Sequence, residues 1–380
     1  MRILVFLPFL GLGGAEKQGV IVARYLIGRG HEVDVWGFAS SQSESKLFEY
    51  SDLRFEELPL WPSLEWNIAR RRLPLSLFER NSNWNPSVQA FVETLPERQF
   101  DVIIPFTFWP SLIANLARAQ LGAKKCFWNH RGGYDAAGIS YNRFLKNRVL
   151  ECYPQFAANS SAGAMFLQDK FSLSPGCVTT IPNAYVPRAG TQRLNRKTKN
   201  HLNLIHVANF FPEKDYDTAL RAVRILKGRG ITCMLHICGR FNADADAHQF
   251  FGRIAELGVE ESIAYHGGVS TDSVADLMRQ SDIGLLSSRS EGQPNSIMEY
   301  MGHNLPVVAT NIHGNRELLG PENVRWLFEV GDAERLARLI GELSRDSELR
   351  SEIGIHNRTR VTEQFAPERI LPRWAELVEN

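Results

Sequence analysis

The sequence predicts an α/β fold of two similar-sized domains, each a parallel sheet doubly wound by helices. Three observations carry that expectation. Apolar runs of strand length alternate with helical stretches from end to end, the pattern of βαβ units whose sheets are covered on both faces. The alternation breaks once, at a polar and basic tract around residues 187–201, and then restarts. A chain of 380 residues also exceeds what one core usually organises.

In chain order, RILVFLP is the first strand, followed by a helix from about Ala15 to Arg29 that Gly30 closes. HEVDVWGF, RFEELP, DVIIPF, KKCFWN, FAANSS and VTTIPNAY supply the remaining strands of a first domain over 1–186. Residues 187–201 lack apolar periodicity and read as a linker. The second domain, 202–364, has strands in HLNLIHVAN, ITCMLHICG, ESIAYHG, SDIGLLSS, LPVVAT and NVRWLFE. Its helices include YDTALRAVRILKGRG, with Gly230 as a C-cap. The tail, 365–380, is a last helix with its apolar residues on one side.

Composition excludes several classes. The hydrophobic fraction of 44% and charged fraction of 22% are those of a soluble globular protein. A net charge of +1 argues against a nucleic-acid binder. Cys126, Cys152, Cys177, Cys233 and Cys238 include no CxxC pair, and Cys233 and Cys238 read as buried thiols. The apolar N-terminus flows straight into the α/β pattern, so it reads as a strand and not a signal peptide. No run approaches the roughly 18 apolar residues of a membrane span, which leaves peripheral contact only. Residues 64–84 mix Trp, Leu and Phe with Arg70, Arg71, Arg72 and Arg80. They read either as an insertion lying on an anionic membrane or as a solvated basic helix.

The chemistry centres on SRSEGQPNSIMEYMGHNLPVVAT, residues 288–310. Pro294 is placed at the first helical position, so the backbone N–H groups of Asn295, Ser296 and Ile297 have no partner within the helix. Such an end binds anions. Glu291 lies in the loop before it and Glu299 inside the helix, roughly one to one and a half turns further in. Four further motifs sit at strand ends, where open α/β sheets bind ligands. Gly11, Gly13 and Gly14 follow the first strand and allow close approach to a diphosphate, or simply make a tight turn. Glu16 at the sixth position and the absence of an acid after the second strand argue against a dinucleotide site. Asn209 and Lys214 follow the first strand of the second domain, and a lysine there can neutralise phosphate. Gly267 and Gly268 leave the backbone around Val269 open to a flat ligand, although a Gly pair there is also an ordinary turn. His130 and Arg131 leave a strand end of the first domain, where His130 could bond a ligand, act as a base, or be structural. The Asp244/Asp246 pair opens a helix and reads as N-cap and first-turn acids, not a metal site.

Together these segments resemble the retaining, nucleotide-sugar-dependent glycosyltransferases of the GT-B fold, group 1, family 4, with their E-x7-E motif. The resemblance runs through GGAE, ANSS, IPNAY, FFPEKDYDTAL, HGGVS, EGQPNSIME and TNIHGNRELL. It implies two Rossmann-like domains facing across a cleft, a donor held mainly by the second, and a C-terminal helix crossing back to the first. It assigns Glu299 to the ribose hydroxyls and Glu291 to the transferred sugar. Lys214 and the backbone at Asn295, Ser296 and Ile297 take the diphosphate, and Gly13 and Gly14 approach the same phosphates. The residues around Gly268 and Val269 frame the base, and His130 contacts the donor sugar. One departure is Asn209, where the family commonly carries an arginine. The implied reaction is metal-free, cofactor-free hexosyl transfer with retention. It moves a sugar from a nucleotide donor, UDP favoured over GDP, to a glycan or lipid-linked acceptor, in the cytoplasm or at the inner membrane face. A sugar-nucleotide epimerase of related fold and a non-catalytic nucleotide-sugar binder are the rival readings.

Overall fold

The computed structural model describes residues 1–11, 13–39, 52–58, 91–133, 143–188, 201–241 and 243–380. The basic segment 64–84 and nearly all of the expected linker lie outside the described residues. By contacts the chain divides into two compact units, each built on one parallel sheet. The first comprises Met1–Gly132, Ala137–Pro182 and Ile370–Asn380, and the second Gly133–Ala136 and Asn183–Arg369.

The first unit holds β1 (Arg2–Leu7), β2 (Glu32–Phe38), β3 (Arg54–Leu58), β4 (Val102–Pro105), β5 (Lys125–His130), β6 (Gln155–Ala158) and β7 (Val178–Thr180). Their order across the sheet is β3-β2-β1-β4-β5-β6-β7, and every pairing is parallel. Ile3 to Leu7 are at most 1% exposed, as a strand covered on both faces must be. The described helices of this unit include α1 (Gly14–Gly28), α2 (Phe108–Leu116), α3 (Arg143–Leu150) and α4 (Ser161–Phe171). Asp34 of β2, a buried carboxylate, is held by Arg98 at 2.9 Å and Arg54 at 3.3 Å.

The second unit holds β8 (Leu202–Val207), β9 (Cys233–Cys238), β10 (Ile263–Gly267), β11 (Ile283–Leu286), β12 (Val307–Thr310) and β13 (Leu327–Phe328). The order is β10-β9-β8-β11-β12-β13, again all parallel. The chain winds outward from β8 in one direction as far as β10, then returns to the other side of β8 with β11. That reversal makes the carboxyl ends of β8 and β11 the switch point at which such sheets bind ligands. Helices α5 (Tyr216–Gly228), α6 (Asp244–Leu257), α7 (Thr271–Gln280), α8 (Asn295–Gly302), α9 (His313–Leu319), α10 (Ala333–Arg345) and α11 (Ser347–Gln364) cover it. Cys233 and Cys238 are buried and unpaired, and burial raises both thiols to about 11.

The last helix, α12 (Pro367–Glu379), begins in the second unit and continues into the first. Within the first unit Trp374 packs on Phe106 at 6.0 Å between centroids, and Glu379 pairs with Arg29 and His31 at 3.0 and 3.1 Å.

The expected fold class is borne out, with local corrections. Gly30 closes the first helix as expected, just past its C-cap Arg29, whereas the C-cap expected at Gly230 is Arg229. Each glycine lies one residue beyond, with φ of 88° and 72°, because the left-handed reversal follows the cap. NVRW is not strand. It belongs to a 3-10 turn over Pro321–Trp326, which leaves β13 two residues long. Among the described residues, no helix is long and apolar enough to cross a membrane.

Candidate active site

At the switch point of the second unit, β8 delivers Asn209 and then a 3-10 turn, Pro212–Lys214. Asp215 follows with φ 45°, a left-handed conformation that lets the chain turn at once into α5. Thr218 Oγ1 donates to Asp215 Oδ2 at 2.9 Å, and Arg289 meets Oδ1 at 3.1 Å, so this buried carboxylate is well supplied with donors. On the opposing strand, β11 delivers Ser287 and Ser288. Ser287 Oγ lies 2.9 Å from Asp215 O and 3.1 Å from Lys214 O, and 3.2 Å from Nε2 of the fully buried His206. Burial, reinforced by the charge of Lys214, lowers His206 to about 3 and keeps its ring neutral. These bonds set the Lys214 turn against the loop that carries Glu291.

Lys214 and Glu291 meet. Lys214 Nζ donates to Glu291 Oε1 at 2.5 Å, and Ser288 Oγ donates to the same oxygen at 2.7 Å. Their side chains are only 19% and 11% exposed, so the pair is largely shielded from water. A cation expected at the leaving phosphate and a carboxylate expected at the sugar therefore partner each other.

The helix mouth lies in the same unit. Pro294 is the N-cap of α8, with φ −71° and ψ 120°, so the helix begins at Asn295, one residue later than the sequence reading placed it. The first-turn N–H groups of Asn295, Ser296 and Ile297 still have no carbonyl to pair with inside the helix. Glu299 is half-buried in the second half of that helix. Its charge helps burial hold the Tyr185 hydroxyl up at about 12.

One residue that holds this mouth received no role from the sequence. Asn183, 3% exposed, donates from its side chain to Gln293 O at 2.8 Å and Asn295 Oδ1 at 3.0 Å. Its backbone N–H donates to Gln293 Oε1 at 2.5 Å. IPNAY was visible as a motif, yet nothing local ties its Asn to a segment 110 positions away. A second residue without a role from the sequence is Arg240, two residues after β9. Asn209 Oδ1 accepts its backbone N–H at 3.1 Å, and its guanidinium donates to Gly268 O at 3.4 Å. Gly268 is exposed and Val269 half-buried at the end of β10.

The structure thus gathers Lys214, Glu291, Asn295, Ser296, Ile297 and Glu299 around β8, β11 and α8, with Asn209, Gly268 and Val269 on the β8–β10 side of the same sheet edge. Gly13, Gly14 and His130 belong to the first unit. Gly13 is the N-cap of α1, and a Cβ there would lie 2.0 Å from Glu16 Oε2. The glycine therefore makes room for the chain's own buried carboxylate, which the sequence reading had used only to exclude a dinucleotide. His130 ends β5 at 8% exposure, stacked on Phe166 at 4.6 Å. Ala243, not an aspartate, is the N-cap of α6, which leaves Asp244 and Asp246 as first-turn acids.

Residues 191–360 match the family model for glycosyl transferases group 1, and residues 12–188 match that for glycosyltransferase family 4. An uncharacterized glycosyltransferase of Haemophilus influenzae is 23% identical over 373 residues, covering 95% of each chain. The N-acetyl-alpha-D-glucosaminyl L-malate synthase of Bacillus anthracis is 26% identical over 376 residues, covering 96% of this chain and 93% of its own. Among solved structures, Anabaena HepE in complex with UDP and glucose superposes with a TM-score of 0.76 at 18% identity, covering 100% of this chain and 99% of that one. The sucrose-phosphate synthase of Thermosynechococcus elongatus gives 0.74 at 17% identity, covering 100% and 98%. Both share the two-sheet fold.

Proposed function

Since this chain belongs to the group 1 glycosyltransferases of the GT-B fold, we propose that it moves a hexosyl group from a nucleotide-diphosphate donor, UDP-linked in preference to GDP-linked, to a hydroxyl of a glycan or lipid-linked acceptor, with retention and without a metal. The observation that carries the reading is the Lys214–Glu291 pair at the switch point, beside a helix mouth in the same unit. Names of similar proteins add support: HepE is described with UDP and glucose, and amylovoran biosynthesis is named for a relative from Erwinia amylovora.

In this reading the diphosphate takes Lys214 and the N–H groups of Asn295, Ser296 and Ile297, which neutralise charge as the leaving group departs. Glu291, relieved of Lys214, turns to the hydroxyls of the transferred sugar, and Glu299 takes the ribose. The acceptor oxygen bonds to the anomeric carbon on the face the diphosphate leaves. The bond from that carbon to the phosphate oxygen breaks, and the acceptor's proton passes to a diphosphate oxygen.

The test is a panel of labelled UDP- and GDP-sugars, with and without lipid-linked acceptor, in the presence and absence of EDTA. Wild type should form product only with acceptor, with the anomeric configuration retained by NMR. Lys214→Ala and Glu299→Ala should each lose donor affinity by about tenfold to a hundredfold. Variants that bind and turn over donors like wild type would overturn the site. Donor conversion without acceptor would indicate an epimerase, and binding without turnover a carrier.

A further inference from the structure

The carboxyl edge of the second sheet carries a charged group that the proposed mechanism does not use. Phe210 and Phe241 form a parallel bridge, and Phe210 N–H donates to Arg240 O at 2.9 Å, so β8 and β9 stay paired beyond their ends. Asn209 Oδ1 adds its bond to the Arg240 backbone N–H at 3.1 Å. The Arg240 side chain then runs across Gly268, beyond β10. A Cβ at Gly268 would lie 2.0 Å from Arg240 Nε and 2.3 Å from Cγ, so a larger residue there would displace the arginine side chain from this path. Its guanidinium donates to Gly268 O at 3.4 Å. A rigid backbone frame thus carries a planar cation over β9 and β10, on the side of β8 away from β11.

Adjacent strands lie about 4.8 Å apart, so the end of β10 is roughly 10 Å from that of β8. A nucleotide with its diphosphate at Lys214 and the α8 mouth, lying along this edge, brings its base over β9 and β10. Resting on the donor reading above, we propose that Arg240 is the nucleobase-binding residue of this site and selects a pyrimidine rich in carbonyl oxygens, as uracil is. Arginine is donor-only and planar: its N–H groups match carbonyl oxygens, and its face stacks on a π system. Uracil offers two carbonyl oxygens and no amino group to repel those donors. Asn209 is then a positioning residue for Arg240, and the charge at the diphosphate is left to Lys214.

Isothermal titration of wild type, Arg240→Ala, Arg240→Lys and Gly268→Ala with UMP, UDP and inorganic pyrophosphate tests this. Arg240→Ala should weaken UMP and UDP by the same factor, about tenfold, and leave pyrophosphate unchanged. Gly268→Ala, which displaces the arginine without removing its charge, should weaken UMP in the same direction. Arg240→Lys keeps the charge and loses the plane, so it should recover only part of the affinity. Melting temperatures check that each variant is folded. Loss of pyrophosphate affinity equal to that of UDP, or unchanged UMP affinity, would overturn the assignment. A wild type that binds none of the three ligands overturns the donor reading itself, before any variant is compared.

Discussion

Asn183 offers a direct way to ask whether the helix mouth is held from outside the helix. It is 3% exposed, and Gln293, whose carbonyl it bonds, is 6% exposed. Asn183→Ala removes two side-chain donations, to Gln293 O and Asn295 Oδ1. The buried carbonyl loses a partner at a cost of about 1–3 kcal/mol, while the half-exposed Asn295 can rebind water at a cost below about 1 kcal/mol. The sum is about 1–4 kcal/mol, and the middle of that range is roughly 7 °C in melting temperature for a unit of this size. Asn183→Asp keeps the shape but turns the donor into an acceptor facing two acceptors, and it adds an unpaired buried charge. That costs about 3–5 kcal/mol at pH 7.5. The introduced carboxyl would have a folded pKa raised above its unfolded value, so the charged form costs stability at high pH. Protonation as pH falls through the folded value restores one donor. Scanning fluorimetry at pH 7.5 and 5.0 should therefore find Asn183→Asp less stable than Asn183→Ala at the higher pH, with the gap narrowing at the lower. Equal stabilities at pH 7.5, or a gap that does not change with pH, would refute the hydrogen-bonding argument.

Two further predictions address the same unit. Glu291→Gln keeps the shape at Lys214 but removes the compensating charge. UDP should bind as tightly as to wild type or more so, while turnover falls about a hundredfold; equal kcat in steady-state assays would deny Glu291 a role at the sugar. His206, lowered to about 3 by burial, takes up a proton only on unfolding between that value and the ordinary 6.5. Its contribution is therefore present above pH 6.5 and falls by about 1.4 kcal/mol per pH unit below it. Urea unfolding at pH 7 and 5 should show His206→Asn losing about 2 kcal/mol less than wild type across that interval; parallel losses would mean that the ring is not buried neutral.

Much of the fold was legible in the chain because its signals are local. Covered parallel strands read as continuous apolar runs, and RILVFL, IGLL and VVAT are buried throughout apart from the first residue of β1. Helix ends were legible to within a residue or two, since caps fray and Pro294 and Gly230 satisfy the rules for adjacent positions equally well. NVRWLFE is strand only at Leu327 and Phe328, because apolar content alone cannot distinguish a short strand from a 3-10 turn packing Trp326 inward. The candidate residues of the second unit were chosen because loops after parallel strands are where such sheets bind ligands.

What the sequence by itself determined is which residues could do chemistry: two carboxylates eight positions apart around a helix start, a lysine after a strand, and glycines where the backbone must come close. What only the tertiary structure decided is whom each one meets. Lys214 and Glu291 are 77 residues apart, Asn183 and Gln293 110, and Arg240 and Gly268 28. These partners are set by the order β10-β9-β8-β11-β12-β13. Strand order is a property of how covered sheets pack, and local periodicity, which reports only burial, carries no record of it. The same holds for Gly13 and Gly268: the sequence showed that a side chain is absent, and the fold showed that Glu16 and Arg240 fill the space.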